Sequence, residues 1–320
     1  MHASNSQKAA PGSSVEALAR RKGSLAWFWF LLPSAFLAIV FFFLPVLITL
    51  VISLTNMTTA TGLSGWTWLG TGNYRKILAN PDTVKYLWAT TRYVVFTLLF
   101  NVVMGLVISL ITTHMPQRSG LLFRAIWLLP RITPPVVYIL MWKIIAANLP
   151  YGILNQLIVK PLGLATMNWI PEAAFLFVVL VNGLVGASFG MIIFTSAIES
   201  IPKDIMISSL VDGASVLQRI RYIILPQLRW PLLFVTTYQT LSLLTSYEYI
   251  LILTDGNFNT EVWALWAFHQ ALSNYWGNFQ YGMGAALAAI LVVIGVGMAV
   301  VYLRYFRFGE LVQEPKIDQL

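Results

Sequence analysis

Apolar positions in this 320-residue chain come in long blocks, not in the alternating or three-to-four spacing of a water-soluble domain. No charged residue occurs between Lys22 and Arg75, and within that gap 27–54 is almost wholly apolar. Roughly 20 apolar residues in a helix cross the hydrocarbon core of a bilayer, so 27–54 predicts a first membrane span. It is too long for a leader's apolar core and lacks a small-residue cleavage site behind it, which predicts a retained helix. Further blocks at 93–111, 121–147, 173–198, 230–254 and 283–303 predict five more spans. The third carries Arg131 and Lys143, and the fifth carries Glu248. The expected fold is an all-α integral membrane protein with six transmembrane helices.

Composition agrees with this pattern. Hydrophobic residues make up 58% of the chain and charged residues 10%, against about 25% charged in soluble domains; mean hydropathy is +0.74. This excludes an ordinary soluble enzyme. Twenty Lys and Arg against twelve Asp and Glu give a net charge of +8. With the N-terminus inside, thirteen of those basic residues fall in inner segments, while the outer ones hold only Arg75, Lys76, Lys85, Arg92 and Lys160. The positive-inside rule then places both termini in the cytoplasm. The outer 255–282 segment has no Lys or Arg, and its Trp263, Trp266, Tyr275, Trp276 and Tyr281 are expected to form an interfacial belt. No polar face combines basic and aromatic residues, so nucleic acid is not an expected partner. The expected organisation is a cytoplasmic tail 1–26 (1–19 disordered by composition), a membrane domain 27–306 and a cytoplasmic tail 307–320. With no Cys, and with His2, His114 and His269 far apart, no metal site is expected.

One connection is too long to be a simple linker. The segment 199–229, on the expected cytoplasmic side, places Leu210, Ala214, Leu217, Ile220 and Ile224 at helical spacing, with Gln218, Arg219 and Arg221 off that stripe. Gly213 separates two helical stretches, where a positive φ costs little, and Pro226 precedes the fifth span. Such a helical pair either docks a soluble partner or lies against lipid.

This segment resembles the conserved cytoplasmic loop of permease subunits in binding-protein-dependent ABC importers, which reads Glu-Ala-Ala, three residues, Gly, nine residues, then Ile-x-Leu-Pro. Asp212, Gly213, Ala214, Ile223, Leu225 and Pro226 keep the spacing, and Ile207, Ser208 and Ser209 stand where the triplet would be. Pro202-Lys203-Asp204, Leu31-Leu32-Pro33, 72–78, Leu122-Phe123-Arg124, Leu129-Pro130, Pro135-Val136-Val137, Trp142-Lys143, 152–155, 253–256 and 281–286 resemble the MalF-like carbohydrate branch in order. The resemblance implies a type I ABC importer permease fold whose coupling loop lies between spans 4 and 5. It implies a channel shared with a second, related permease, two ABC ATPase subunits on the cytoplasmic loops, and an extracytoplasmic solute-binding protein. The implied setting is the inner membrane of a prokaryote, and the implied solute is a sugar or sugar derivative. The chain has no Gly-x-x-x-x-Gly-Lys-Ser/Thr phosphate loop, so it is not expected to be an enzyme. ATP and Mg are expected in the partner ATPases, and no cofactor is expected in this chain.

Ionisable residues at bilayer depth mark function or pair with one another. Arg131 is flanked by Pro130, Pro134 and Pro135, which free backbone carbonyls and allow a broken helix, and it lines the solute path or pairs with Glu248. Asn101 and Asn182 are candidates for binding solute hydroxyls or for joining helices. Tyr138, Trp142, Tyr247 and Tyr249 are candidates for stacking on a sugar's apolar face or for packing, and Glu248 belongs to the same candidate solute path. The rival readings are a secondary transporter using Arg131 and Glu248 as an ion relay, and a membrane enzyme or assembly factor.

Overall fold

The computed structural model describes residues 28–148, 150–273 and 277–305. The two expected tails, together with Tyr275 and Trp276, lie outside the described residues. Among the described residues the chain is helical, with one isolated antiparallel bridge, Thr55–Trp68. Four helices are long and apolar enough to cross a membrane: α1 (Phe28–Ser53), α3 (Thr83–His114), α6 (Trp169–Glu199) and α12, of which Tyr281–Arg304 qualifies within Tyr281–Tyr305. These correspond to the first, second, fourth and sixth predicted spans.

The other two predicted spans are not straight. The third is α4 (Gln117–Ile132) followed by α5 (Pro135–Ile145), bent by 98°. Pro134 and Pro135 lack the N–H that would continue the ladder, and Thr133, ahead of Pro134, is extended at ψ 136°. The fifth is a 17-residue α9 (Arg229–Thr245) and a six-residue α10 (Glu248–Leu253), separated at Ser246 and Tyr247. Proline shapes three other places. The widened turns Ile39–Phe43, Asn155–Val159 and Ile220–Ile224 each end two residues before a proline: Pro45, Pro161 and Pro226. A wider turn accommodates the ring that would otherwise press on the carbonyl four residues back.

The centre of the bundle is the crossing of α3 and α6. A Cβ on Gly105 would stand 2.9 Å from the Ala187 carbonyl oxygen and 3.0 Å from the Gly190 Cα. The two backbones are therefore in direct contact. Ser109 Oγ donates to the Met191 carbonyl at 3.0 Å and Thr195 Oγ1 donates to Ser109 Oγ at 3.2 Å. Small residues and short polar side chains are the usual means of joining helices in lipid, where burial of apolar surface gives no drive.

Near the predicted outer end of α1, α2 (Gly72–Ala79) folds back over the helix terminus. Asn73 Nδ2 donates to the Ser53 and Thr55 carbonyls at 2.9 and 2.8 Å, and Ser53 Oγ and Tyr74 Oη are 2.7 Å apart. These contacts satisfy carbonyls that a helix end leaves open. Helix α11 (Trp263–Leu272) corrects one expectation. Trp263 and Trp266 are not belt residues: they are 2% and 4% exposed. Trp263 Nε1 donates to the Leu287 carbonyl at 2.9 Å, and Trp266 packs on Tyr86 with ring centroids 4.9 Å apart. A ten-residue helix tucked into the bundle carries them inward, which residue type alone does not reveal.

A Gly105→Ala substitution is expected to destabilise the solubilised protein by about 1–3 kcal/mol, the usual range for overpacking. Gly297→Ala, where an added Cβ meets no atom within 4 Å, is expected to change the melting temperature little. Equal effects of the two would show that the α3–α6 contact is not what holds the bundle.

Candidate functional site: the helical loop and the polar cavity

The loop between α6 and α9 is a pair of helices joined by a tight knuckle. Helix α7 (Lys203–Val211) ends at Asp212, and Gly213 adopts φ +77°. The Gly213 N–H donates to the Leu210 carbonyl at 3.1 Å and the Ala214 N–H to the Ser209 carbonyl at 2.9 Å. This is the Schellman pairing, which requires a left-handed residue at Gly213. An added Cβ at Gly213 would meet nothing within 4 Å, so backbone conformation, not space, calls for glycine. Two residues on, Ser215 starts α8 (216–227) with a reciprocal cap. Its N–H donates to Gln218 Oε1 at 2.7 Å, and the Gln218 N–H donates to Ser215 Oγ at 3.3 Å. The Ser-x-x-Gln spacing that signals this cap is visible in the sequence.

The apolar stripe in this loop divides in two. Ile224 and Leu228 are fully buried and cluster with Ile198 and Ile201, and Ile220 and Ile223 pack against them beside Leu106 and Leu110 of α3. That half anchors the loop to the bundle. Val211, Leu217, Ile207 and Leu210 are 83%, 74%, 57% and 55% exposed and form an apolar tip around the knuckle. In the stretch that replaces Glu-Ala-Ala, Ile207 and Ser208 are exposed, whereas Ser209 is buried and donates to the Met206 carbonyl at 2.8 Å. Leu225 is half-buried and Pro226 exposed. At the same end of the bundle Arg124 pairs with Glu199 at 2.8 Å, tying α4 to α6.

A second feature lies deeper. A cavity of about 160 Å³ is lined by residues of α3, α4, α6, α9 and α10, among them Asn101, Arg131, Asn182, Gln239, Ser246 and Tyr249. Arg131, Asn101, Asn182 and Gln239 stand about 15–26 Å from the loop-side ends of their helices, at 1.5 Å per residue. These distances fall within the roughly 30 Å thickness of a bilayer core. Asn101 bonds to Gln239, and Gln239 Nε2 donates to the Gly186 carbonyl at 3.3 Å. Asn182 donates to Tyr93 Oη, which is 3.1 Å from Ser246 Oγ. The Arg131 guanidinium lies 5.4 Å from the centre of the Phe189 ring, which stacks on Tyr238 at 4.8 Å.

Of the residues expected along a solute path, the cavity wall includes Arg131, Asn101, Asn182 and Tyr249. The other four lie elsewhere. Tyr138 is buried and donates to the Val181 carbonyl at 3.1 Å. Trp142 packs between Tyr138 and Phe177. Tyr247 stacks on Phe268 at 4.8 Å. Glu248 is exposed, and Arg131 forms no ion pair with it or with any other described carboxylate. The 98° bend at Thr133 separates α5, with Tyr138 and Trp142, from the direction of α4 and Arg131. Lys143 is held as well: its Nζ donates to the Ile252 carbonyl at 3.0 Å. The wall residues Gln239, Phe189, Tyr238 and Ser246 escaped the sequence reading. Only Gln239 left a signal, as an amide inside an apolar run.

On the expected outer face, His269 of α11 bridges two carboxylates. Nδ1 is 3.0 Å from Glu261 Oε1 and Nε2 is 3.1 Å from Asp255 Oδ1. Both contacts are hydrogen bonds only when both ring nitrogens carry protons. The hydrogen bond to Glu261, more than the charges, raises the His269 pKa above its ordinary value, against partial burial.

Comparison with known proteins accounts for the loop and the bundle together. Residues 101–307 match the family described as "Binding-protein-dependent transport system inner membrane component", and the chain belongs to that family. It is a multi-pass membrane protein and a translocation-channel subunit of a binding-protein-dependent importer. It is 28% identical over 282 residues to the trehalose/maltose transport system permease protein MalF of Thermococcus litoralis, covering 87% of this chain and 92% of that one. To the diacetylchitobiose uptake system permease protein DasB of Streptomyces coelicolor it is 27% identical over 310 residues, covering 92% and 90%. In fold it resembles a chain of the bacterial alginate ABC transporter solved with an alginate pentasaccharide-bound periplasmic protein. There the TM-score is 0.76 at 18% identity, covering 88% of this chain and 94% of that one.

The His269 bridge predicts a pH dependence. With a raised folded pKa, its stabilisation is fully present below the unfolded value of about 6.5 and is lost as pH rises through the folded value. The melting temperature of the wild type is expected to fall across that window relative to His269→Gln. Parallel pH profiles for the two proteins would contradict the bridge.

Proposed function

We propose that this permease forms half of a channel that carries a sugar or sugar derivative into a prokaryotic cell, and that its 200–228 loop couples the channel to an ABC ATPase. The observation that carries the coupling is the two-part construction of the loop. Its base is buried against α3 and α6 through Ile198, Ile201, Ile224 and Leu228, and its tip exposes Val211, Leu217, Ile207 and Leu210 around a capped Gly213 knuckle. Exposed apolar side chains on both sides of a capped knuckle, on a loop whose base is anchored, suit a docking surface. A push on such a tip reaches the α3–α6 crossing through packed side chains.

In this reading both termini and the coupling loop are cytoplasmic. The chain hydrolyses no ATP itself; two ATPase subunits bind ATP and Mg. A second, related permease completes the channel, and the solute-binding protein of the family's description delivers solute at the opposite face. The names of the relatives, which refer to trehalose, maltose and diacetylchitobiose, support the sugar class. An ion relay through Arg131 and Glu248 has no support in the geometry, since Glu248 forms no part of the cavity wall and no ion pair with Arg131.

Gly213→Val is expected to reduce ATP-dependent uptake more than tenfold in cells while the protein still assembles in the membrane, because a β-branched residue resists a positive φ. Gly213→Asn, which tolerates that conformation, is expected to retain most uptake. Normal uptake with Gly213→Val would overturn the coupling role of the knuckle.

A further inference from the structure

The polar cavity holds one full charge and nothing of opposite sign. Arg131 is the single Lys, Arg, Asp or Glu in its wall. The rest of the wall is amides (Asn101, Asn182, Gln239), hydroxyls (Ser242, Ser246, and Tyr249 and Tyr238 with their rings), and apolar groups. No described carboxylate pairs with the guanidinium, and no described oxygen accepts a hydrogen bond from it. What holds it is the face of Phe189 at 5.4 Å, backed by Tyr238 and Phe234 in a stacked row. A cation–π contact orients a guanidinium and leaves its charge in place, and the planar fork of N–H groups remains free for a carboxylate or phosphate.

A charged side chain at this depth faces a water-filled path or a partner, not lipid. The amide and hydroxyl wall suits the hydroxyl groups of a sugar. Building on the importer reading above, we propose that this cavity selects solutes with a negatively charged group, namely acidic sugar derivatives, and that Arg131 is the residue that binds the charge. Asn182 and Gln239 supply the neutral hydrogen bonds beside it. Phe189 and Tyr238 position Arg131 from behind.

The test uses the assembled transporter, with its second permease and ATPase subunits, in nanodiscs without the binding protein. Glucuronate and glucose serve as probes at matched ionic strength. The wild type is expected to bind glucuronate at least tenfold more tightly than glucose. Arg131→Gln is expected to bring that ratio to about one, and Arg131→Lys to keep a clear preference for the acid. Equal binding of the two probes by the wild type would overturn the proposal, and so would an undiminished preference in Arg131→Gln. A wild type without preference whose Arg131→Gln variant fails to assemble would show that Arg131 pairs with an acid of the second permease, which also overturns it. ATP-dependent uptake that persists in either case would leave the importer assignment standing while the charge selection fell.

Discussion

Everything in this bundle depends on one close contact, the crossing of α3 and α6 at Gly105 and Gly190. In a bilayer, apolar side chains gain nothing by leaving lipid for protein, so helices associate through shape and hydrogen bonds. With no Cβ at either position, the backbones approach closely enough for Ser109 to bond to the Met191 carbonyl at 3.0 Å. The same approach, carried along the helices, puts Asn182 of α6 within reach of Tyr93 of α3, and Gln239 of α9 bonds to both helices, to Asn101 of α3 and to the Gly186 carbonyl of α6. Polar groups that would be unsatisfied in lipid therefore meet one another along one wall, and the polar cavity forms beside them. At the loop end, the continuation of the two helices supplies Leu106, Leu110 and Ile198, the seat for the base of the 200–228 loop.

That arrangement joins two features that are far apart in the chain. The loop tip stands free of the bundle while its base is fixed to the helices that wall the cavity. A partner that grips the tip would move α3 and α6 relative to α9, and the cavity is shared among those three helices with α4 and α10. Breaks in the helices sit beside this wall. Thr133 at the 98° bend follows Arg131 by two residues, and Ser246, at the break between α9 and α10, is itself part of the wall. Non-helical backbone at membrane depth is tolerated only where it faces protein or a water-filled cavity, and the break at Ser246, in the cavity wall, satisfies that condition.

Much of this architecture was legible in the sequence because lipid imposes simple rules. Block length located α1, α3, α6 and α12, and the proline cluster at 130–135 located the bend. Gly213 was legible because a left-handed turn between two helices has few other solutions. The solute path was much less so. Tyr138 and Trp142 looked like sugar-stacking aromatics, but the bend at Thr133 turned them into the core beside Phe177. Trp263 and Trp266 had belt composition, yet a short helix folded them inside. The pairing of Arg131 with Phe189 and Tyr238 joins positions about 60 and 110 residues apart on three helices, and helix rotation, which block hydrophobicity does not encode, decides it.

The central claim is that the loop tip is the coupling contact with an ATPase, and the chain's lack of cysteine permits a direct test. A single cysteine introduced by Leu217→Cys, at a position 74% exposed, provides a unique crosslinking handle in native membranes. The account predicts that a short bifunctional reagent joins this position to a P-loop ATPase subunit, identified by mass spectrometry, with a yield that changes on adding ATP. A tip cysteine that yields no ATPase adduct, while the protein remains assembled and active in uptake, would contradict it.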